Sequence, residues 1–215
     1  MSHQNFEKYA IERPMTGPIA YDYVSFFKKH IDYKNSDLKI LDFGCGDGRY
    51  FLFFKQFFRE NNIYGVEVSE IRIKRAKKLG WKNVFKIKDF QPLPFKDSYF
   101  DFINFDQVIE HIPSNKIEFY LKELKRILKP NGKIIIVTPN YPIKRVYDLL
   151  NALVKRDPKR IFDDPTHVAQ YNFKMLNSLL KKYFREAKLE PTGGLFYKWF
   201  RKNFFSHKII GLCIK

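Results

Sequence analysis

Long apolar runs are missing from this chain of 215 residues. No stretch approaches the roughly 20 apolar residues that a membrane-spanning helix needs, so no transmembrane segment is predicted. Residues 1–13 are polar and lack the apolar core of a signal peptide, and the two cysteines, Cys45 and Cys213, are too few for a disulfide framework. These absences predict a globular protein that works in the cytoplasm.

Acidic residues are scarce beside basic ones, at 23 against 40, which gives a formal net charge of +17. Such a balance suits an RNA, an anionic lipid head group or another acidic partner. Many of the cations recur at helical spacing opposite apolar residues, as in 74–78 and 122–129, which is also typical of solvated helix faces. Composition therefore leaves a nucleic-acid partner open.

Internal repeats and low-complexity linkers are also absent, so we expect one domain over residues 1–215. Apolar spacings alternate between the strand and the helix period along the chain. This alternation predicts an α/β fold with a doubly wound, mainly parallel, seven-stranded sheet and helices on both faces. Helices are predicted over 19–30, 50–59, 70–79, 115–128 and 173–183, and strands over 38–43, 63–68, 84–87, 100–105, 133–138, 187–190 and 208–214.

The most informative motif follows the first predicted strand, where residues 42–48 read Asp-Phe-Gly-Cys-Gly-Asp-Gly. Glycine at alternate positions permits a left-handed backbone and removes Cβ atoms that would block a ligand. The spacing is related to the dinucleotide fingerprint G-x-G-x-x-G, but here the carboxylate of Asp42 precedes the loop. A carboxylate at this position repels a pyrophosphate and suits an amine, which disfavours an NAD-dependent oxidoreductase.

Three further acids, Glu67, Asp89 and Asp106, come at the ends of later predicted strands. In a parallel sheet the carboxyl ends of the strands meet at one edge, and ligands bind there. Glu67 follows the loop by about twenty residues and is suited to accept both hydroxyls of a ribose. Asp89 can accept from the exocyclic amine of an adenine while Phe90 packs on the ring.

Later segments extend the pattern. Residues 89–95 read Asp-Phe-Gln-Pro-Leu-Pro-Phe, 98–101 read Ser-Tyr-Phe-Asp, 108–112 read Val-Ile-Glu-His-Ile, and 124–140 end in Thr-Pro-Asn. With the glycine loop, these blocks resemble the class I S-adenosylmethionine-dependent methyltransferase superfamily, in the type 11 branch that contains the ubiquinone-biosynthesis-type O-methyltransferases. The resemblance covers residues 38–140. It implies a Rossmann-like methyltransferase fold, S-adenosylmethionine as cofactor and S-adenosylhomocysteine as product.

The resemblance also implies roles for matched residues. Asp42 and the loop backbone would hold the methionine end of the cofactor, Glu67 the ribose, and Asp106 the pocket wall near the methionine group. Arg13 would fold over the site and pair with the cofactor carboxylate. Asn131 stands where the family usually has glycine, and a left-handed turn tolerates asparagine. The cofactor-binding set expected is Asp42, Gly44, Cys45, Gly46, Glu67, Val68, Asp89, Phe90, Asp106 and Arg13.

Methyl transfer needs a base only where the acceptor must lose a proton. His111 and Glu110, after the fourth strand, are predicted as catalytic groups and His167 as a further candidate, although His111 also suits a buried structural role. The same three residues form an alternative divalent-metal set, because some relatives bind a metal through a Glu-x-x-Glu-His segment and a later histidine. Here Gln107 replaces the first acid, which weakens a hard-metal site, so no metal is expected.

Substrate choice is expected outside the core. The resemblance divides the domain into a helical cap over 1–36, a cofactor-binding core over 37–140 and a substrate-side region over 141–215. Residues 141–171 predict a helix followed by a basic loop. Residues 193–207 interleave aromatic residues with cations. This composition is compatible with a segment that stacks on bases, lies on a lipid surface, contacts another subunit or forms a plain hairpin.

The sequence therefore predicts an S-adenosylmethionine-dependent methyltransferase that acts on an oxygen or nitrogen atom of a small or lipid-like acceptor. An RNA or protein methyltransferase is one alternative, favoured by the charge. A non-catalytic cofactor-binding subunit of the same fold is another, although the acids at the loop and strand ends count against it. The acceptor itself and the oligomeric state stay open.

Overall fold

The computed structural model describes residues 3–15, 17–158, 162, 164–192 and 206–215. Most of the predicted aromatic and basic segment 193–207 lies outside the described residues. In chain order the elements are α1 (His3–Glu12), α2 (Tyr21–His30), β1 (Ile40–Phe43), α3 (Arg49–Phe54), a 3₁₀ turn (Glu60–Asn62), β2 (Ile63–Glu67), α4 (Glu70–Lys78), β3 (Val84–Lys86), β4 (Phe100–Asp106), a 3₁₀ turn (Ile109–His111), α5 (Ile117–Ile127), β5 (Leu128–Pro139), α6 (Ile143–Lys155), α7 (Phe173–Lys181), β6 (Glu186–Thr192) and β7 (Lys208–Ile214).

The strands form one sheet in the order β3-β2-β1-β4-β5-β7-β6. The pairings among β1 to β5 are all parallel, whereas β7 runs antiparallel to both β5 and β6. The order reverses between β1 and β4, which is the switch point where open α/β sheets bind ligands. The prediction of a doubly wound, mainly parallel, seven-stranded sheet is confirmed.

Alternate residues of the central strands enter two separate cores, because successive side chains of a strand point to opposite faces. In β1, Ile40 packs in the cluster that contains side chains of α2, α3 and α4. Leu41 and Phe43 pack in the other cluster, with side chains of α5 and α7. In β4, Phe102 and Ile103 divide in the same way. Helices therefore cover both faces, and the polar edge of the sheet is left for a site.

Several element bounds differ from the predictions, and two of the differences have a clear structural cause. Helix α3 ends at Phe54, earlier than expected, because 3₁₀-type bonds such as the one from Phe57 N to Phe54 O tighten the next turn. Strand β5, predicted over 133–138, begins at Leu128, and residues 130–132 lie inside it where the register with β4 shifts. Asn131 has a φ of 61°, so it takes the left-handed conformation that the sequence predicted.

Among the described residues no helix is long and apolar enough to cross a membrane. Cys45 and Cys213 are both buried free thiols. Pro191 lies in β6, which is the outer strand beside β7, and such an edge position tolerates the missing N–H of proline.

Candidate functional site

A cavity of about 1260 Å³ opens at the carboxyl ends of the parallel strands. Its volume exceeds the ~300–1,000 Å³ of a typical small-molecule pocket, so it has room for two ligands side by side. Of the residues predicted from the sequence, the cavity is lined by Arg13, Gly44, Glu67, Val68, Asp89, Asp106, Glu110, His111 and His167. Asp42, Cys45, Gly46 and Phe90 are outside this lining.

The glycine loop folds tightly against the end of β2. Gly44 and Gly46 have φ values of 76° and 55°, and the N–H groups of Gly44 and Cys45 both donate to the carbonyl of Val66, at 2.9 and 3.0 Å. A Cβ atom built on Gly44 would lie 2.4 Å from a methyl group of Val108. The loop therefore requires glycine at residue 44 for two reasons, its backbone conformation and the lack of space.

Asp42 lies beneath the loop and does not reach the cavity wall. Its Oδ1 accepts from the amide of Asn104 at 2.8 Å, while its Oδ2 is buried with no partner among the residues described. Burial raises the pKa of Asp42 to about 7. A cationic group bound above the loop would favour the ionised form of Asp42. Because the loop lies between Asp42 and the cavity, the role of this carboxylate toward a cofactor amine stays a prediction.

Glu67 ends β2 and holds the loop in place. Its Oε2 accepts from the N–H of Gly46 at 2.9 Å, and its Oε1 accepts from those of Val68 and Ser69, at 2.8 and 3.0 Å. A carboxylate offers about four lone-pair positions, so one remains for a ligand hydroxyl at the cavity wall. The same side chain can therefore shape the loop and bind a ribose.

Asp89 already has two protein partners. Tyr120 OH donates to its Oδ1 at 2.7 Å, and Lys116 Nζ donates to its Oδ2. Partial burial raises the pKa of Asp89, but these two bonds outweigh it and hold that pKa below its usual range. Asp89 lines the cavity and stays ionised, whereas Phe90 is 43% exposed and packs near Phe119, with ring centroids 5.5 Å apart.

Asp106 lies at the end of β4 and is anchored from α3. Arg49 Nη2 and Tyr50 OH donate to its Oδ2, at 3.0 and 2.8 Å. Its Oδ1 is buried without a partner among the described residues. Burial raises the pKa of Asp106, and the cations of Lys208 and Arg49 oppose that rise. Asp106 lines the cavity, and a carboxylate at its wall is the kind of group that a cofactor ammonium requires.

Helix α1 covers the cavity and is held by polar contacts. Glu7 accepts from the hydroxyl of Ser69 and from the N–H of Glu70, and so caps the start of α4. Tyr9 OH and Arg13 Nη1 both donate to Asp164 Oδ2, at 2.9 and 2.6 Å. Arg13 lines the cavity, and its guanidinium pairs with Asp164 here. Its pairing with a cofactor carboxylate stays a prediction.

The three candidate catalytic residues meet on one side of the cavity. His111 ends a 3₁₀ turn, and its Nδ1 lies 3.0 Å from the carbonyl oxygen of Thr166. Because a carbonyl only accepts, Nδ1 carries the hydrogen and Nε2 keeps its lone pair. Burial lowers the pKa of His111 to about 4, so the ring is neutral near pH 7. The rings of His111 and His167 lie 5.0 Å apart.

Glu110, His111 and His167 also have the geometry of a metal site. One possible ligand atom from each lies within 4.8 Å of the others. Glu110 Oε2 accepts from Thr138 OH at 3.0 Å, and Oε1 is buried without a partner among the residues described. One carboxylate and two imidazoles fit a transition metal better than magnesium. The donor set therefore fits a transition-metal ion. Metal binding by these residues stays an alternative to their role as catalytic groups.

Stability should depend on the protonation of Glu110. Burial raises its pKa from 4.5 to about 8, so the folded state holds a proton that the unfolded state releases above its ordinary pKa. This contribution is present at acidic pH and is lost as pH rises toward about 8. We expect Glu110→Gln, whose amide cannot ionise, to remove the part of the fall in unfolding free energy with rising pH that comes from this carboxyl group. Thermal unfolding followed against pH measures it, and parallel curves for both proteins would contradict the assignment.

Sequence reasoning missed Lys208 and considered Gln107 only as the residue that replaces an acid of a metal-binding segment, yet both line the cavity. Lys208 begins β7, and burial lowers its pKa while Asp106 and Glu110 oppose that shift. Lys208 is the first residue of β7, and it lies at this edge only because β7 is antiparallel to β5. A prediction of the direction of β7 would therefore have located it. Gln107 has a φ of 55°, a strained conformation that is typical of functional sites.

Comparison with known proteins gives the family context. Residues 41–136 match the family model described as a methyltransferase domain. The ubiquinone biosynthesis O-methyltransferase of Pelagibacter ubique is 36% identical over 112 residues, which cover 50% of this chain and 45% of that protein. The demethylmenaquinone methyltransferase of Staphylococcus aureus is 24% identical over 173 residues, which cover 79% and 61%. The chain spans about half the length of the curated relatives it matches.

Solved structures share the fold at low identity. A SAM dependent methyltransferase from Archaeoglobus fulgidus superposes with a TM-score of 0.66 at 20% identity, covering 91% of this chain and 95% of that one. Another, from Aquifex aeolicus, gives a TM-score of 0.60 at 21% identity, covering 88% and 87%. At such identities the likeness concerns the fold alone, and the fold predicted from the sequence is confirmed.

Proposed function

We propose that this chain, which carries a methyltransferase domain over residues 41–136, transfers a methyl group from S-adenosylmethionine to a small or lipid-like acceptor in the cytoplasm. One observation supports the proposal above the others. Glu67 and Asp106 are the last residues of β2 and β4, Asp89 follows the end of β3 by three residues, and all three line the same cavity. Their oxygens suit the ribose hydroxyls, the adenine amine and the ammonium of that cofactor, which carries no phosphate to repel them.

The acceptor atom that we favour is a phenolic oxygen on a ring with an apolar substituent. The relative from Pelagibacter ubique, at 36% identity, is named as an O-methyltransferase of ubiquinone biosynthesis. The cavity is large enough for a cofactor and a second ring, and Tyr23 and Ile112 add apolar surface to its lining. A nitrogen acceptor of similar shape is the nearest variant of this proposal.

The proposed mechanism gives the protein four tasks. When bound, S-adenosylmethionine supplies an electrophilic methyl group, so much of the rate comes from placing the acceptor oxygen in line with it. The lone pair on His111 Nε2 accepts the acceptor proton. Because the pKa of this ring is low, the transfer depends on Lys208, whose cation stabilises the oxygen as it becomes negative. Helix α1, held to Asp164 through Tyr9 and Arg13, limits the access of water.

Replacing His111 should lower turnover and spare cofactor binding. We expect His111→Ala to lower kcat by about 10²–10⁴-fold, the usual contribution of a general base. The affinity for S-adenosylhomocysteine should stay within about twofold, a change of less than 0.5 kcal/mol. His30→Ala is the control, because His30 lies on α2 away from the cavity lining. Full activity of His111→Ala would remove the base from the mechanism.

A metal bound at these residues would give the unaltered protein a different signature. If Glu110, His111 and His167 hold a divalent ion that polarises the acceptor, a chelator should abolish activity of the unaltered protein and added metal should restore it. If His111 acts as a base, the chelator should have no effect. The two explanations are thus separated without a variant.

Calorimetric titration with S-adenosylmethionine, S-adenosylhomocysteine and NAD tests the proposal first. Micromolar binding of the two sulfur ligands and none of NAD would support it and justify assays with hydroxylated isoprenoid quinols. Binding of neither sulfur ligand would overturn it. Methylation of RNA in place of the quinols, with binding that weakens steeply as salt rises, would instead support an RNA acceptor.

A further inference from the structure

Helix α6 has its polar side turned toward the protein. Lys144, Asp148 and Asn151 lie at spacings of four and three residues, so they share one face of the helix. All three line the cavity. Among the residues of α6 only Ala152 is buried. The helix therefore forms a wall of the site through polar side chains.

The opposite side of α6 is apolar and exposed to solvent. Val146, Leu149, Leu150, Leu153 and Val154 recur at i, i+3, i+4, i+7 and i+8, which places them on one continuous stripe. Each is about half exposed or more, and Val154 reaches 82%. We call these five residues the α6 apolar face. A surface helix normally buries such a stripe against its own core, so this inverted orientation indicates an external partner.

The charge around the α6 apolar face selects between partners. Lys155 and Arg156 follow Val154 directly and are both exposed. The whole chain carries +17, so a second copy would bring a like charge to the contact, whereas an anionic lipid surface attracts it. An apolar stripe bordered by cations is the composition of helices that lie in a membrane interface.

We propose that the α6 apolar face docks on the surface of a membrane that contains anionic lipid. The five apolar side chains enter the boundary between head groups and acyl chains, and Lys155 and Arg156 contact the head groups. Because the polar face of the same helix lines the cavity, docking sets the site beside the bilayer. The inference stands apart from the proposed reaction, since it concerns α6 and the surface charge alone.

Flotation with vesicles tests the docking. We expect the full chain to float with vesicles of phosphatidylcholine and phosphatidylglycerol, to float weakly with phosphatidylcholine alone, and to lose binding as salt rises. Val154→Glu should weaken partition by at least about tenfold, equal to 1.4 kcal/mol. Met175→Glu is the matched control, because Met175 is 53% exposed on α7 and the charge change is the same. It should float like the unaltered chain.

Further variants and readouts separate the outcomes. Val154→Ser removes apolar surface without adding charge and should weaken flotation by less than Val154→Glu but measurably. No binding to the anionic vesicles, or equal binding of Val154→Glu and Met175→Glu, would overturn the proposal. A dimer that Val154→Glu dissociates would also overturn it, since a second copy would then cover the face. Thermal unfolding confirms that each variant folds, and cofactor titration of the same samples tests the reaction separately.

Discussion

Glu67→Gln is expected to weaken the binding of S-adenosylmethionine and S-adenosylhomocysteine by about 10- to 150-fold, since hydrogen bonds to a charged group contribute ~1.5–3 kcal/mol. The carboxylate accepts three backbone N–H groups, from Gly46, Val68 and Ser69. An amide keeps the size of the side chain but offers one oxygen, so its NH₂ faces a backbone donor. The loop loses a contact, and the ribose loses a charged acceptor. Calorimetry with both ligands measures the change.

Glu70→Gln is the matched control for this variant. Glu70 carries the same side chain three residues later, at the start of α4, where it pairs with Lys86 and stays outside the cavity lining. Its replacement should leave ligand affinity within about twofold, because partly exposed ion pairs contribute only ~0–1 kcal/mol. Equal losses of ligand affinity in the two variants would show that the negative charge of this region matters and that the specific contacts of Glu67 do not.

Gly44→Ala is the second variant for which we expect a large effect, close to complete loss of cofactor binding. The residue has a φ of 76°, and an added Cβ would lie 2.4 Å from a methyl group of Val108. The backbone must therefore move, and it moves at the cavity wall between β1 and the 3₁₀ turn that carries His111. Titration with S-adenosylhomocysteine measures the loss, and thermal unfolding reports whether the variant still folds.

Two further substitutions separate strain from steric conflict at Gly44. Gly80 has a φ of 88° and nothing within 4 Å of an added Cβ, so Gly80→Ala introduces left-handed strain alone. It should cost some stability, of the order of 1 kcal/mol, and leave binding intact. Val108→Ala in the Gly44→Ala background removes the conflicting methyl groups and should restore part of the affinity. Failure of this rescue would mean that strain dominates.

The positions of the strands can be predicted from the sequence, because they follow from local apolar patterns. The acids at or after the strand ends are then located as well. Glu67, Asp89 and Asp106 can therefore be placed at one edge of the sheet from the sequence alone, and in the structure all three line the cavity. The apolar pattern also located the helix after β5. It could not reveal that the polar face of this helix would be turned inward, since the pattern gives a stripe and not its direction.

Long-range contacts were beyond the same reasoning. Asp164 meets Tyr9 and Arg13 across more than 150 positions of sequence, and no periodic pattern marks either segment. Lys208 reaches the site only because β7 reverses direction relative to β5. Asp42 was assigned to the ligand by its place in the motif, yet its side chain lies below the loop with Asn104. The position of a residue in the motif thus predicted that it lies near the site, but not whether its side chain reaches the cavity.

The order of strands in the sheet also has a consequence for synthesis. Strand β7 lies between β5 and β6, although both precede it in the chain. During translation β5 and β6 leave the ribosome first and cannot pair with each other in their final places until Lys208–Ile214 follows. The nascent chain must therefore carry two open strand edges, which are sites for wrong pairing and aggregation. Completion of the sheet and arrival of Lys208 at the cavity are the same event.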